Sequence, residues 1–180
     1  MYANLFGDFV KGSDLSRFNN HVQYGIKLHR FIDHFIDHHP AVLELLHKLY
    51  PKLPRISSVA VDLYFDHLLA SNWSEFHELP YDQFLQNFYD SQLEDEKQFT
   101  REFLFMMDRL KSRNWMHYYQ FKDGLNKACH GVSSRISFEN NLHEGLLVFE
   151  ELEAEITGSF YEFMPDAKQK IQEFHASNGI

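Results

Sequence analysis

Apolar side chains at Leu28, Ile32, Phe35 and Ile36 recur at the period of a helix, and the pattern returns at Val61, Phe65, Leu68 and Leu69. The two stretches, LHRFIDHFI at 28–36 and VDLYFDHLL at 61–69, superpose without a gap. At about 100° per residue, each gathers its four apolar groups in an arc from about −120° to about −20°, counted from His29 in the first and Asp62 in the second. Two matched amphipathic helices are the strongest constraint on this chain. Strand-like alternation is scarce, and long stretches carry Leu, Glu, Lys and Gln at helical spacing, so the expectation is an all-α fold.

Punctuation divides the rest. The first helix should stop near His39, because a residue before proline is pushed out of the helical region, and Pro40 can open the next. That one runs to Leu49, ahead of Pro51 and Pro54. Ser57 or Ser58 caps a third, to about Ala70. A fourth starts near Pro80 and runs toward or past Asp108, with a possible break. Further segments are expected at Trp115 to Cys129, Asn140 to Tyr161 and Pro165 to Ala176, with Gly131 and Pro165 as breaks. The total is about seven helices in a single-domain bundle covering 1–180, a size that buries an ordinary core.

The polar edge of the paired helices carries chemistry. With His29 at zero, Asp33 falls near about 40° and Asp37 near about 80°, beside the apolar arc; Asp66 stands in the same relation to Asp62. Ionisable groups at a core border lose solvent, a cost that pairing or a cation offsets. If the helices pack through their apolar arcs, His29, Asp33, Asp62 and Asp66 line one crevice, with nitrogen and oxygen donors suited to Mn, Mg, Fe or Zn. Spacing leaves a second reading open, in which the helices are merely amphipathic and their carboxylates solvated. Glu44 and His47 make an E-x-x-H pair without a second copy, so they do not indicate a di-iron bundle. Phe99, Phe103, Phe160 and Phe163 read as core. Cys129 reads as a small buried side chain, since its neighbour His130 points elsewhere on a helix.

Other functions are disfavoured. The formal charge of −9 opposes general affinity for nucleic acid. One cysteine cannot form an internal disulfide, and neither a signal peptide nor a span of about 20 apolar residues is present, so a cytoplasmic protein without membrane insertion is expected. Neither a phosphate-binding glycine loop nor a nucleophile elbow occurs.

Five pieces together carry a resemblance: NLFGDFVKG at 4–12, GIKLHRFIDHFIDHHP at 25–40, DLYFDHLLASNW at 62–73, GVSSR at 131–135 and FYEFMP at 160–165. Over nearly its whole length the chain resembles the acyl carrier protein phosphodiesterases, bacterial enzymes distantly similar to HD-type metal-dependent phosphohydrolases. The resemblance implies an HD-like helical fold and hydrolysis of the phosphodiester joining 4'-phosphopantetheine to a serine of holo acyl carrier protein, with a divalent metal, typically manganese, and Mg or Fe as alternatives. It implies functional roles at Asp8, His29, Arg30, Asp33, Asp62, Asp66 and His67. His29, Asp33, Asp62 and Asp66 are the expected ligands, Asp8 a further ligand or the base, Arg30 and Arg135 phosphate contacts, and His67 a general acid or a support to a ligand. Structural roles remain open for Arg135 and His67.

Two departures from the family pattern stand out. Members usually carry a short apolar, His-bearing segment ahead of the Gly-Asp-Phe motif. This chain opens Met1-Tyr2-Ala3-Asn4, which reads as a late-assigned start or a truncated copy. The usual threonine of FTDxHP is Ile36. Carrier proteins are acidic, as is this chain, so docking needs a local basic patch. Lys48, Lys52 and Arg55 are the first choice, and Arg109, Lys111 and Arg113 the second. A catalytically weak module binding an acidic carrier, and an HD-type phosphohydrolase acting on a nucleotide, are the alternative functions.

Overall fold

The computed structural model describes residues 1–91 and 95–178, and among these no strand occurs. Ten α-helices follow one another among the described residues: α1 (Tyr2–Leu5), α2 (Asn20–His38), α3 (Pro40–Leu49), α4 (Ser57–Ser71), α5 (Tyr81–Asp90), α6 (Arg101–Ser112), α7 (Trp115–Tyr118), α8 (Lys122–Ser133), α9 (Gly145–Glu151) and α10 (Glu153–Ser177). Short 3₁₀ turns supplement them, one of which, Phe6–Phe9, continues α1. The all-α expectation holds. Several expected helices are subdivided, and the expected break between the fourth and its continuation falls partly at 92–94, outside the described residues.

Local chemistry explains the boundaries. Asn19 caps α2, its side chain accepting from the Val22 amide at 2.9 Å. His39 ends that helix with extended backbone, and Pro40 opens α3, as the sequence requires. Pro165 is the exception: it sits inside α10 instead of breaking it. Pro165 is exposed, so the carbonyl that loses its amide partner can be hydrated. Buried Phe160 and Phe163 on one side and Ala167 on the other pin the helix across it. Gly131 likewise lies within α8.

Two aromatic-rich cores divide the interior. One joins α3, α4, α8, α9 and α10 through Leu45, Leu49, Tyr64, Phe65, Phe149 and Phe160. The other gathers Phe6, Val22, Ile26, Phe88, Phe99 and Phe103 from the N-terminal turns, α2, α5 and α6. Helix α2 belongs to both: Ile26 lies in the second core, while Phe35 and Ile36 pack against the first. His29 and Asp33 fall between these anchors, where the two cores meet. The apolar arcs of α2 and α4 do not simply close on each other as expected. Phe163 of α10 wedges between them, its ring centroid 5.6 Å from Phe35 and 5.5 Å from Phe65.

Glycine permits one decisive approach. A Cβ on Gly25 would lie 2.4 Å from Ala3 Cβ and 2.5 Å from the Ala3 backbone carbon. Only a bare backbone lets α1 lie against α2, and this contact carries the N-terminal turns to the site.

Candidate metal centre

The turn Phe6–Phe9 presents Asp8 toward α2, where His29 and Asp33 stand one helical turn apart. His29 Nε2 is 3.1 Å from Asp8 Oδ1 and 3.1 Å from Asp33 Oδ2. One ring nitrogen thus faces two carboxylate oxygens, and the three ligand atoms lie within 4.8 Å of one another. Adjacent donors around an ion at about 2.1 Å are themselves about 3 Å apart, so the separations suit a divalent cation. One histidine and two carboxylates favour a hard or borderline ion.

The charge state fits as well. The bond that His29 donates to Asp8, opposed by desolvation, raises His29 above its ordinary range, and the same bond lowers Asp8. Burial raises Asp33 despite the attraction of His29. Asp62 is pushed up to about 7, first by burial and then by the charges of Asp66, Asp33, Asp37 and Asp8. Asp66 is pushed up to about 6 by burial. Both residues keep surface open to solvent, so they sit in a concavity where protein displaces much of the water. Carboxylates crowded this way are an environment that a cation relieves.

Asp8, His29 and Asp33 are brought together; Asp62 lies within electrostatic reach of Asp33 and Asp8, and Asp66 within reach of Asp62, but neither is gathered into the cluster. Arg30 follows His29 in the chain, but its guanidinium donates to the carbonyls of Val10 at 2.9 Å and Gly12 at 2.7 Å. It ties down the loop behind Asp8. His67 is buried on another face of α4 and its Nδ1 donates to the Tyr119 carbonyl at 2.7 Å, with burial lowering its pKa. His38 turns back to the His34 carbonyl at 2.8 Å, and buried His39 meets Asp166 at 3.2 Å. None of these three histidines joins the cluster.

Two hollows share Tyr119 as a wall. Beside Asp66 lies an apolar one of about 400 Å³, walled by Leu69, Trp73, Tyr81, Phe84 and Tyr119. A second holds Arg135, far along the chain from the first basic cluster. In that first cluster Lys52 is 2.6 Å from Glu151, Lys48 is 3.6 Å from Glu44, and Arg55 lies 4.2 Å over the Phe138 ring. Two of its three charges are therefore met by acids. In the second cluster, Lys111 donates to the Tyr89 carbonyl at 2.6 Å and Arg109 lies 5.2 Å over the Phe105 ring.

The raised carboxyl of Asp62 has a consequence for stability. Between the ordinary carboxylate range and about pH 7, the folded metal-free protein holds a proton there that the unfolded chain has lost, so stability falls as pH rises through that window. Unfolding in urea should show a loss of about 1 kcal/mol between about pH 5 and about pH 8 from this group, after allowance for screening at a half-open site. Asp62→Asn should remove that share of the slope; an unaltered slope contradicts the assignment.

The chain matches the family model described as Acyl carrier protein phosphodiesterase over residues 1–167. It is 25% identical to a protein of that name from Klebsiella pneumoniae (strain 342) over 164 residues, 91% of this chain and 85% of the relative. A Photorhabdus laumondii protein of the same name is 26% identical over 176 residues, 96% of this chain and 87% of its own. One from Enterobacter sp. (strain 638) is 27% identical over 134 residues, 74% and 69% respectively. No solved structure matches. No helix among the described residues is long and apolar enough to cross a membrane.

Proposed function

The chain belongs to the acyl carrier protein phosphodiesterase family, and on that footing we propose that it hydrolyses the phosphodiester between 4'-phosphopantetheine and the serine of holo acyl carrier protein in a manganese-dependent reaction. The observation that carries the metal dependence is the convergence of Asp8, His29 and Asp33, with two carboxylates at 3.1 Å from one imidazole nitrogen. These three would hold the ion, and Asp62, which feels the charges of Asp33 and Asp8, would flank it. When bound, a divalent ion supplies positive charge against the phosphodiester and acidifies water near neutral pH.

The protein's own groups supply the remaining requirements. Asp62, held as a carboxylate by the neighbouring ion, would accept the proton of the attacking water. Asp66, one turn from Asp62 on the same face of α4 and raised by burial, would hand a proton to the departing serine oxygen. Arg30 acts as a positioning residue, holding the loop that presents Asp8. The apolar hollow next to Asp66 suits a slender amide-and-methylene chain that ends in a thiol, so the pantetheine arm lies along Leu69, Trp73 and Phe84.

Mass spectrometry of holo carrier protein incubated with the enzyme tests the reading. With manganese, the carrier should lose the mass of phosphopantetheine and become apo; with chelator it should not. Retention of the prosthetic group under both conditions, with metal bound, would reject it.

A further inference from the structure

A hollow of about 400 Å³ opens among the end of α6, the short α7 and α8. Three cations line it, Arg113, Lys127 and Arg135, with Trp115, Tyr118 and Tyr119 as aromatic walls. In a chain of formal charge −9 this is a local reversal of sign. Among the described residues no carboxylate pairs with Arg113 or Arg135, whereas Lys127 meets Asp123 at 2.5 Å. Arg135 Nε donates to the Gly131 carbonyl at 3.0 Å, a bond that aims the guanidinium while using one of its five donors. Arg113 lies 5.8 Å from the Trp115 ring and Lys127 5.9 Å from that of Tyr118, so aromatic faces brace the cations. The rim is preformed, which lowers the entropy lost when a partner binds.

Position adds the second argument. Tyr119 walls both this hollow and the apolar one that contains Asp66. Its phenol feels the charges of Asp66 and Arg135 alike. An acidic body held at the cationic hollow therefore stands next to the entrance of the apolar slot. The chain's net charge opposes an acidic body, and both rival lysines, Lys48 and Lys52, are met by Glu44 and Glu151, whereas in this hollow only Lys127 is met by an acid and the charges of Arg113 and Arg135 remain for the partner.

Resting on the reading that the substrate is a carrier protein, we propose that the hollow of Arg113, Lys127 and Arg135 docks an acidic surface segment of that protein, so that its prosthetic arm passes Tyr119 into the slot beside Asp66.

Binding of apo carrier protein, which has no bond left to cut, separates docking from hydrolysis. Isothermal titration at low and high ionic strength would compare wild type with Arg113→Glu/Arg135→Glu, Arg113→Gln/Arg135→Gln and Lys48→Glu/Lys52→Glu. Helicity and manganese binding serve as checks on folding, and the neutral glutamine pair decides the matter if the reversed pair misfolds. The arginine reversal should weaken binding about tenfold or more at low ionic strength and flatten its salt dependence, the glutamine pair less so, and the lysine reversal about twofold at most. Wild-type affinity in the arginine variants, a larger loss in the lysine variant, or binding indifferent to salt overturns the proposal. Wild type that binds apo carrier in this arginine-dependent way yet leaves holo carrier intact supports docking and rejects hydrolysis. Hydrolysis that proceeds with no dependence on Arg113 and Arg135 does the reverse.

Discussion

Alanine at Gly7 should cost about 100-fold or more in both manganese affinity and carrier hydrolysis, although Gly7 offers no ligand. A Cβ there would stand 2.2 Å from His29 Cδ2 and 2.3 Å from its Cγ, well inside contact distance. Either the imidazole or the turn must move by more than an ångström. The turn is poorly placed to yield, because Phe6 is fully buried and Arg30 grips the carbonyls of Val10 and Gly12 just beyond it. The ring therefore swings away, and the nitrogen shared by Asp8 and Asp33 is lost. Asp33→Ala should abolish metal binding and turnover directly, with helicity near wild type in both variants. Manganese titration and the carrier mass assay read the two effects. Unimpaired metal binding in Gly7→Ala would mean that His29 is not held where the fold places it.

Truncation of Phe160 to alanine should cost about 3–5 kcal/mol of stability, the largest effect expected away from the site. Its ring is fully buried and meets the edges of Phe65 at 5.4 Å and Phe76 at 5.5 Å. It lies near the Phe163 wedge on which α2 and α4 converge, so little can collapse into the space left behind. Phe160→Leu should recover much of the loss, since most of the volume returns. Urea unfolding measures both, and a cost below about 1 kcal/mol for the alanine variant would show that the two aromatic cores bear less of the fold than their packing indicates.

Periodicity and proline carried much of the architecture. The α2–α3 boundary at His39-Pro40 follows from a local rule that tertiary contacts do not override, whereas the expected serine cap of α4 does not form: Ile56 stands at the cap position without a side-chain bond, and Ser57, already in the helix, donates its hydroxyl back to the Leu53 carbonyl. The N-terminal turns went unread because Tyr2–Leu5 is a single turn, too short for any period to show, and its helicity depends on lying against Gly25. Pro165 misled because a helix can pass through a proline when the freed carbonyl faces water and the opposite face is pinned. The match between the arcs of α2 and α4 was legible, but a third helix from the far end of the chain supplies the residue between them.

The site divides along the same line. His29 and Asp33 are an i, i+4 pair, and such pairs can be seen on a wheel. Asp8 stands 21 positions from His29 and reaches it only through the docking of α1, so no spacing rule could have placed it there; the family pattern did. The basic patches show the opposite failure. Lys48, Lys52 and Arg55 are dense in sequence, yet Glu151, nearly 100 positions later, meets Lys52 in space, while Arg113, Lys127 and Arg135 are scattered and gather round one hollow. Net charge along a segment is not the charge a partner meets.

The most direct test is a titration of manganese into chelator-stripped protein, followed by the loss of the free ion's electron paramagnetic resonance signal, for wild type and His29→Ala side by side. The account predicts saturable, stoichiometric binding in wild type that is lost in the variant while helicity persists. Equal binding by both proteins, or none by wild type near neutral pH, would contradict a metal centre at Asp8, His29 and Asp33.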